Sequence, residues 1–216
     1  SNIKIDTTGS SIFYGINTTG GVTPFAYKKI FNNKITSVIN GNSTFYGIYV
    51  SAFGGVDTSV IYNNRVEKVK TRSTLYGYFI NTTGENLNFY NNIVDSMSSA
   101  GASYGIYCGG GSTASTVNYY NNLVRRIYGY STATVYGMFT VTGLNLNLYN
   151  NIISDLRSPF QTSATAVTGI WGSSGTNVNI YNNTIELGKT GQLTSTNTIF
   201  GVAGIYYPNS TTSLYN

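Results

Sequence analysis

Histidine is absent from the 216 residues, cysteine occurs once, and only 9% of residues are charged. Without histidine there is no Ser–His or Cys–His pair to activate a nucleophile, and no Cys/His zinc site can be assembled. The lone Cys108 excludes an intrachain disulfide framework. Soluble globular proteins carry about 25% charged residues, so most of the usual solvating charge is missing and Ser, Thr and Asn take its place. No apolar run approaches the roughly 18 residues of a membrane span. What remains is rich in 25 glycines and 20 tyrosines, with too many β-formers and too little net charge for a disordered chain.

The abundant residues are ordered by a repeat. An aromatic-Asn-Asn tripeptide returns as Phe31-Asn32-Asn33, Tyr62-Asn63-Asn64, Tyr90-Asn91-Asn92, Tyr120-Asn121-Asn122, Tyr149-Asn150-Asn151 and Tyr181-Asn182-Asn183, and the chain stops at Tyr215-Asn216. The first asparagines are separated by 31, 28, 30, 29, 32 and 34 residues. A drifting period near 30 marks stacked equivalent units joined by loops of variable length. Residues 1–216 are therefore read as one elongated segment. Because the sequence opens and closes inside repeats, a longer parent chain is expected, with any targeting or anchoring signal outside this segment.

Within one unit, Val178-Asn179-Ile180-Tyr181 alternates apolar and polar residues, as a half-buried strand does. Leu87-Asn88-Phe89-Tyr90, Val117-Asn118-Tyr119-Tyr120 and Leu146-Asn147-Leu148-Tyr149 repeat the pattern. Counting by twos places Asn32, Asn63, Asn91, Asn121, Asn150 and Asn182 on the inner side, as a ladder of side-chain amides. The second Asn of each pair then falls at a corner, where Asn tolerates left-handed backbone. Ile35, Val66, Val94, Val124, Ile153 and Ile185 begin a second strand. A third is built on Tyr14-Gly15-Ile16, Tyr46-Gly47-Ile48, Tyr76-Gly77-Tyr78, Tyr104-Gly105-Ile106 and Tyr136-Gly137-Met138. With Ile48 and its equivalents inward, Tyr49, Phe79, Tyr107, Phe139, Trp171 and Tyr206 form an outward aromatic column.

Three short strands per unit cannot bury a core alone, but stacked at about 4.8 Å they close a continuous interior. The expected fold is all-β, a right-handed parallel β-helix (β-solenoid) of about seven coils, each of roughly 30 residues with three short strands. The Asn-Asn-x-Ile/Val and Tyr-Gly-Ile pattern resembles the right-handed parallel β-helix repeat of pectate-lyase-like enzymes, periplasmic proteins and very long bacterial surface proteins. Its Tyr-Asn-Asn-rich, Ser/Thr-rich character most resembles the giant secreted surface proteins of Bacteroidetes and related bacteria. That resemblance implies an extracellular or cell-surface location.

Chemistry on such a scaffold needs residues that break the repeat. Seven acids are present: Asp6, Asp57, Glu67, Glu85, Asp95, Asp155 and Glu186. Glu67 and Asp95 alone align on neighbouring coils, with Arg125 next in the column. Paired carboxylates are what a glycoside hydrolase requires; as plain structure they are a charged turn ladder neutralised by Lys68 and Arg126. Basic residues gather after the Asn pair at Lys34, Arg65, Lys68, Lys70, Arg72, Arg125, Arg126 and Arg157. Such a stripe either attracts a polyanion or simply solvates one edge of the stack. The expected function is non-enzymatic: an adhesin shaft, fibre or filament. The alternative is a carbohydrate-active β-helix that binds or cleaves polysaccharide. Expected partners are other copies of the chain or other domains of the same long protein, and polysaccharide. Neither nucleic acid, nor a membrane span in this segment, nor any cofactor or metal is expected.

Overall fold

Each coil is made by the same three events in the same order. In the coil that runs from Leu75 to Ser99, strand Leu75–Thr82 carries the Tyr-Gly motif, Leu87–Tyr90 carries the alternating Asn, and Ile93–Ser99 follows the Asn pair. Equivalent strands of successive coils pair in parallel and in register, for example Tyr62↔Tyr90 and Tyr120↔Tyr149. The result is a parallel β-solenoid with three sheets, here called the glycine, asparagine and charged sheets, of seven, seven and six strands. The computed structural model describes residues 11–19, 27–51, 58–82, 86–110, 115–141, 145–161, 165–173, 175–187, 202–206 and 210–215. Among them there is no helix.

Six strands in the charged sheet make five steps from the first coil to the last. The described stack is thus about five turns, not the seven expected from counting tripeptides. The copy at Tyr215 contributes a strand to the asparagine sheet, from Ser210 to Tyr215, but no strand to the charged sheet. Asn216 lies outside the described residues, as do Asp6, Asp57 and Glu85.

The interior is a column of apolar layers. Val66, Val94, Val124 and Ile153 are each fully buried, stacked under Ile61, Phe89 and Leu148 from the asparagine sheet and Ile48, Ile106, Met138 and Ile170 from the glycine sheet. Such burial is worth about 1.5–3 kcal/mol per large side chain, and it is available only when coils stack.

Two backbone devices bend the strands into a coil. The first Asn of every pair is left-handed, with φ of 57° at Asn32, 56° at Asn63, 55° at Asn91 and Asn121, 54° at Asn150 and 53° at Asn182. A second left-handed column falls inside the charged strands, at Ser37, Lys68, Ser96, Arg126 and Asp155. The glycine column meets a different demand. A Cβ on Gly105 would lie 2.5 Å from the Gly137 carbonyl oxygen and 2.5 Å from Val124 Cγ1. No side chain fits where the glycine sheet and the buried side chains of the charged sheet approach that closely.

Candidate functional site

The ladder of side-chain amides exists, but one residue later than the alternation predicts. Asn32, Asn63, Asn91, Asn121, Asn150 and Asn182 are exposed corner residues, whereas Asn64, Asn92, Asn122 and Asn151 are buried. The reason is the left-handed residue itself. Counting by twos is valid only along extended backbone, and a left-handed residue shifts the phase by one. Asn33, Asn64, Asn92, Asn122, Asn151 and Asn183 therefore turn inward.

Each Nδ2 donates to the Oδ1 of the next coil, at 2.9, 3.0, 3.3, 2.9 and 2.9 Å from Asn33 to Asn183. The same Oδ1 atoms accept the main-chain N–H of the preceding coil's Asn at 2.9–3.1 Å. The other Nδ2 hydrogen goes to a main-chain carbonyl one coil back, those of Ile30, Ile61, Phe89, Tyr119 and Leu148, at 2.7–3.1 Å. An interior carboxamide thus uses both donors and both lone pairs. That full satisfaction is what makes a buried amide stabilising rather than a loss of about 1–3 kcal/mol.

A second amide ladder runs outside on the asparagine sheet. Asn118 donates to Asn88 at 2.9 Å, Asn147 to Asn118 at 2.8 Å and Asn179 to Asn147 at 2.9 Å. Sequence reasoning passed over it, although Asn recurs at the polar position of four aligned strands. Two parallel amide columns, one on the asparagine sheet and one at the corner that follows it, fix register from both sides.

Aromatic side chains form three further columns. Phe31, Tyr62, Tyr90, Tyr120, Tyr149 and Tyr181 stack at 4.9–5.2 Å with interplanar angles of 10° or less. On the glycine sheet, Tyr49, Phe79, Tyr107, Phe139 and Trp171 stack at 4.2–5.3 Å, and Tyr206 lies 6.4 Å beyond Trp171. Beside them run Tyr14, Tyr46, Tyr76, Tyr104 and Tyr136, edge-on to the neighbouring column. Burial, then the Tyr136 and Tyr107 hydroxyls, push the Tyr104 phenol up to about 12. Within the columns, ring faces lie against ring faces. What the strips offer to solvent is edges and hydroxyls, whereas a sugar ring stacks on a face.

The charged sheet carries the aligned acids. Glu67 and Asp95 are register partners, and both are buried, at 5% and 1% exposure. They are covered by cations, not by the core. Lys34 Nζ is 3.0 Å from Glu67, and Arg65 Nε donates to the same carboxylate. Three guanidiniums converge on Asp95 Oδ2: Arg126 at 2.5 Å, Arg125 at 3.0 Å and Arg65 at 3.7 Å. Burial alone would raise both carboxyls. The hydrogen bonds from Arg126, Arg125 and Ser96 outweigh it and hold Asp95 down at about 2. Those from Lys34 and Arg65 lower Glu67 likewise. The neutralising groups include Arg126, as expected, but Lys68 forms no ion pair among the described residues. Carboxyls held this low carry no proton to donate near neutral pH, and each is tied to fixed cations. Elsewhere on this sheet Asp155 pairs with Arg157 at 2.5 Å.

Among the described residues no three His, Cys, Asp or Glu side chains gather as a metal site. Cys108 is buried, and desolvation raises its thiol far above the reactive range. No protein-family model, no curated protein and no solved structure matches the chain. The class of the protein is therefore defined by its own geometry: a parallel β-solenoid repeat, held in register by amide and aromatic ladders.

Proposed function

We propose that this chain is a non-enzymatic structural segment of a bacterial extracellular or cell-surface protein, serving as a stiff shaft, fibre or adhesin stalk. The observation that carries the reading is the unbroken inner ladder from Asn33 to Asn183, in which every coil contributes an equivalent amide. A catalytic solenoid needs a place where repetition gives way to a constellation. Here the aligned carboxylates are clamped by Lys34, Arg65, Arg125 and Arg126. Repetition supplies length, the amide columns supply register, and ring columns add about 0.5–1.5 kcal/mol per stacked pair. The surface location rests on the resemblance of the Tyr-Asn-Asn repeat to the giant secreted proteins of Bacteroidetes. Other domains of a longer chain, or further copies, are the partners a shaft would hold.

The test is electron microscopy with an antibody against this segment, on source cells and on purified protein. Labelled rods or fibres projecting from the surface, with an axial repeat near 4.8 Å, are expected. Label confined to the cytoplasm, or compact particles without axial order in the purified parent protein, would overturn the proposal.

A further inference from the structure

The net charge of the molecule is concentrated on one side. Eight basic residues lie on or directly beside the charged strands: Lys34, Arg65, Lys68, Lys70, Arg72, Arg125, Arg126 and Arg157. Glu67, Asp95, Asp155 and Glu186 oppose them there, leaving +4 of the formal +5. Within that face the excess is local. Arg157 is matched by Asp155, whereas strand Arg65–Thr71 and the next residue present Arg65, Lys68, Lys70 and Arg72 with Glu67 as the one acid among them.

Lys68, Lys70 and Arg72 are exposed and form no ion pair among the described residues. Lys70 and Arg72 alternate with the buried Val69 and Thr71, so they share the outer face about 7 Å apart. The left-handed backbone at Lys68 (φ 55°) brings a third cation onto the same face. The row therefore runs along the strand, across the solenoid axis, for about 13 Å from Lys68 to Arg72. Beside it, the buried carboxylates of Glu67 and Asp95 fix Lys34, Arg65, Arg125 and Arg126 in place. Four cations on two acids form a positive layer whose remaining N–H groups face solvent. Guanidiniums held in this way recognise oxyanions without first being ordered.

We propose that this row on the charged sheet binds an anionic polysaccharide, through sulfate or carboxylate groups spaced along an extended chain. A linear array of cations fits a linear polyanion. Single-stranded nucleic acid would need open ring faces for its bases. The ring columns keep their faces against one another, and Tyr130 on this side is fixed by its hydroxyl on the Thr71 carbonyl at 2.6 Å, with Lys70 over its ring at 5.5 Å. Tyr128 alone is no stacking platform. The inference does not depend on the mechanical role: a shaft that fails to bind glycan, and a glycan binder that forms no shaft, are separate outcomes.

The experiment compares two charge reversals of equal size, Lys70→Glu on this face and Lys29→Glu on the asparagine sheet, where Lys29 is also exposed. Binding is measured to heparin and to a polyuronate at several salt concentrations, with single-stranded DNA and anionic lipid vesicles as comparisons. Binding to either glycan that falls with salt is expected, with Lys70→Glu weakening it about tenfold and Lys29→Glu by less than about twofold. Heparin preference would assign sulfate, polyuronate preference carboxylate. Equal weakening by the two variants would reduce the effect to net charge and overturn the proposal. So would failure to bind either glycan at low salt, or tighter binding to DNA or vesicles than to both glycans.

Discussion

Replacing Asn122 by Ala tests the inner ladder in the interior of the stack, with a ladder asparagine on either side. Asn122 is 1% exposed, and its Oδ1 accepts the Asn92 main-chain N–H at 2.9 Å and Asn92 Nδ2 at 3.3 Å. Its Nδ2 donates to the Phe89 carbonyl at 3.1 Å and to Asn151 Oδ1 at 2.9 Å. Alanine removes all four bonds. Asn92 Nδ2 retains the Ile61 and Tyr90 carbonyls, and Asn151 Oδ1 retains the Asn122 main-chain N–H. The Asn92 N–H loses its side-chain acceptor inside the stack, at a cost of about 1–3 kcal/mol, and the other three losses cost about 0.5–1.5 kcal/mol each. The expected destabilisation is therefore about 2.5–7.5 kcal/mol. The neighbouring change Asn121→Gly is the control. Asn121 is exposed with φ 55°, a conformation glycine adopts freely, so the cost should stay below about 1 kcal/mol. Urea titration followed by circular dichroism reads both, as a midpoint shift at constant slope. If Asn121→Gly proves as damaging as Asn122→Ala, the ladder has been assigned to the wrong asparagine.

Two further outcomes follow from the same geometry. Gly105→Ala should cost about 3 kcal/mol or more, because its Cβ would meet a carbonyl oxygen and Val124 Cγ1 at 2.5 Å, whereas Gly204→Ala, with open space around it, should stay within about 0.5 kcal/mol in the same titration. Asp95 titrates at about 2 when folded against 3.8 when free. A folded-state pKa below the unfolded one contributes stability that is complete above the unfolded value and lost as pH falls through the folded one. About 2 kcal/mol should therefore disappear between pH 3.8 and about 2, and in Asp95→Asn this acid limb of the stability profile should flatten.

The period, the three strands per coil and the inward aliphatics were legible because each rests on spacing alone, and Val66 and its equivalents need no knowledge of the corner. The ladder was legible in kind but not in phase. Both asparagines of each pair suit either role, and only the left-handed backbone at Asn63 or Asn121 decides which one turns inward. The second left-handed column was not legible, because Ser37, Lys68, Ser96, Arg126 and Asp155 share no composition that marks a bend. Alignment placed Glu67 beside Asp95 correctly. Their burial depends on long cationic side chains folding over them from Lys34, Arg65, Arg125 and Arg126, which no periodicity encodes. Ring faces are a similar case: the outward position of Tyr49 or Tyr107 follows from alternation, but that a ring spends its faces on its neighbours follows from coils about 4.8 Å apart.

Pulling the purified protein from its two ends in a single-molecule force experiment tests the mechanical account most directly. Ladders that join each coil only to its neighbours make the stack a one-dimensional array of similar units. The account predicts a stiff rod that unravels coil by coil, each event releasing roughly 30 residues, or about 100 Å of contour. Release of the whole described stack in one step, or extension at low force without discrete events, would contradict it.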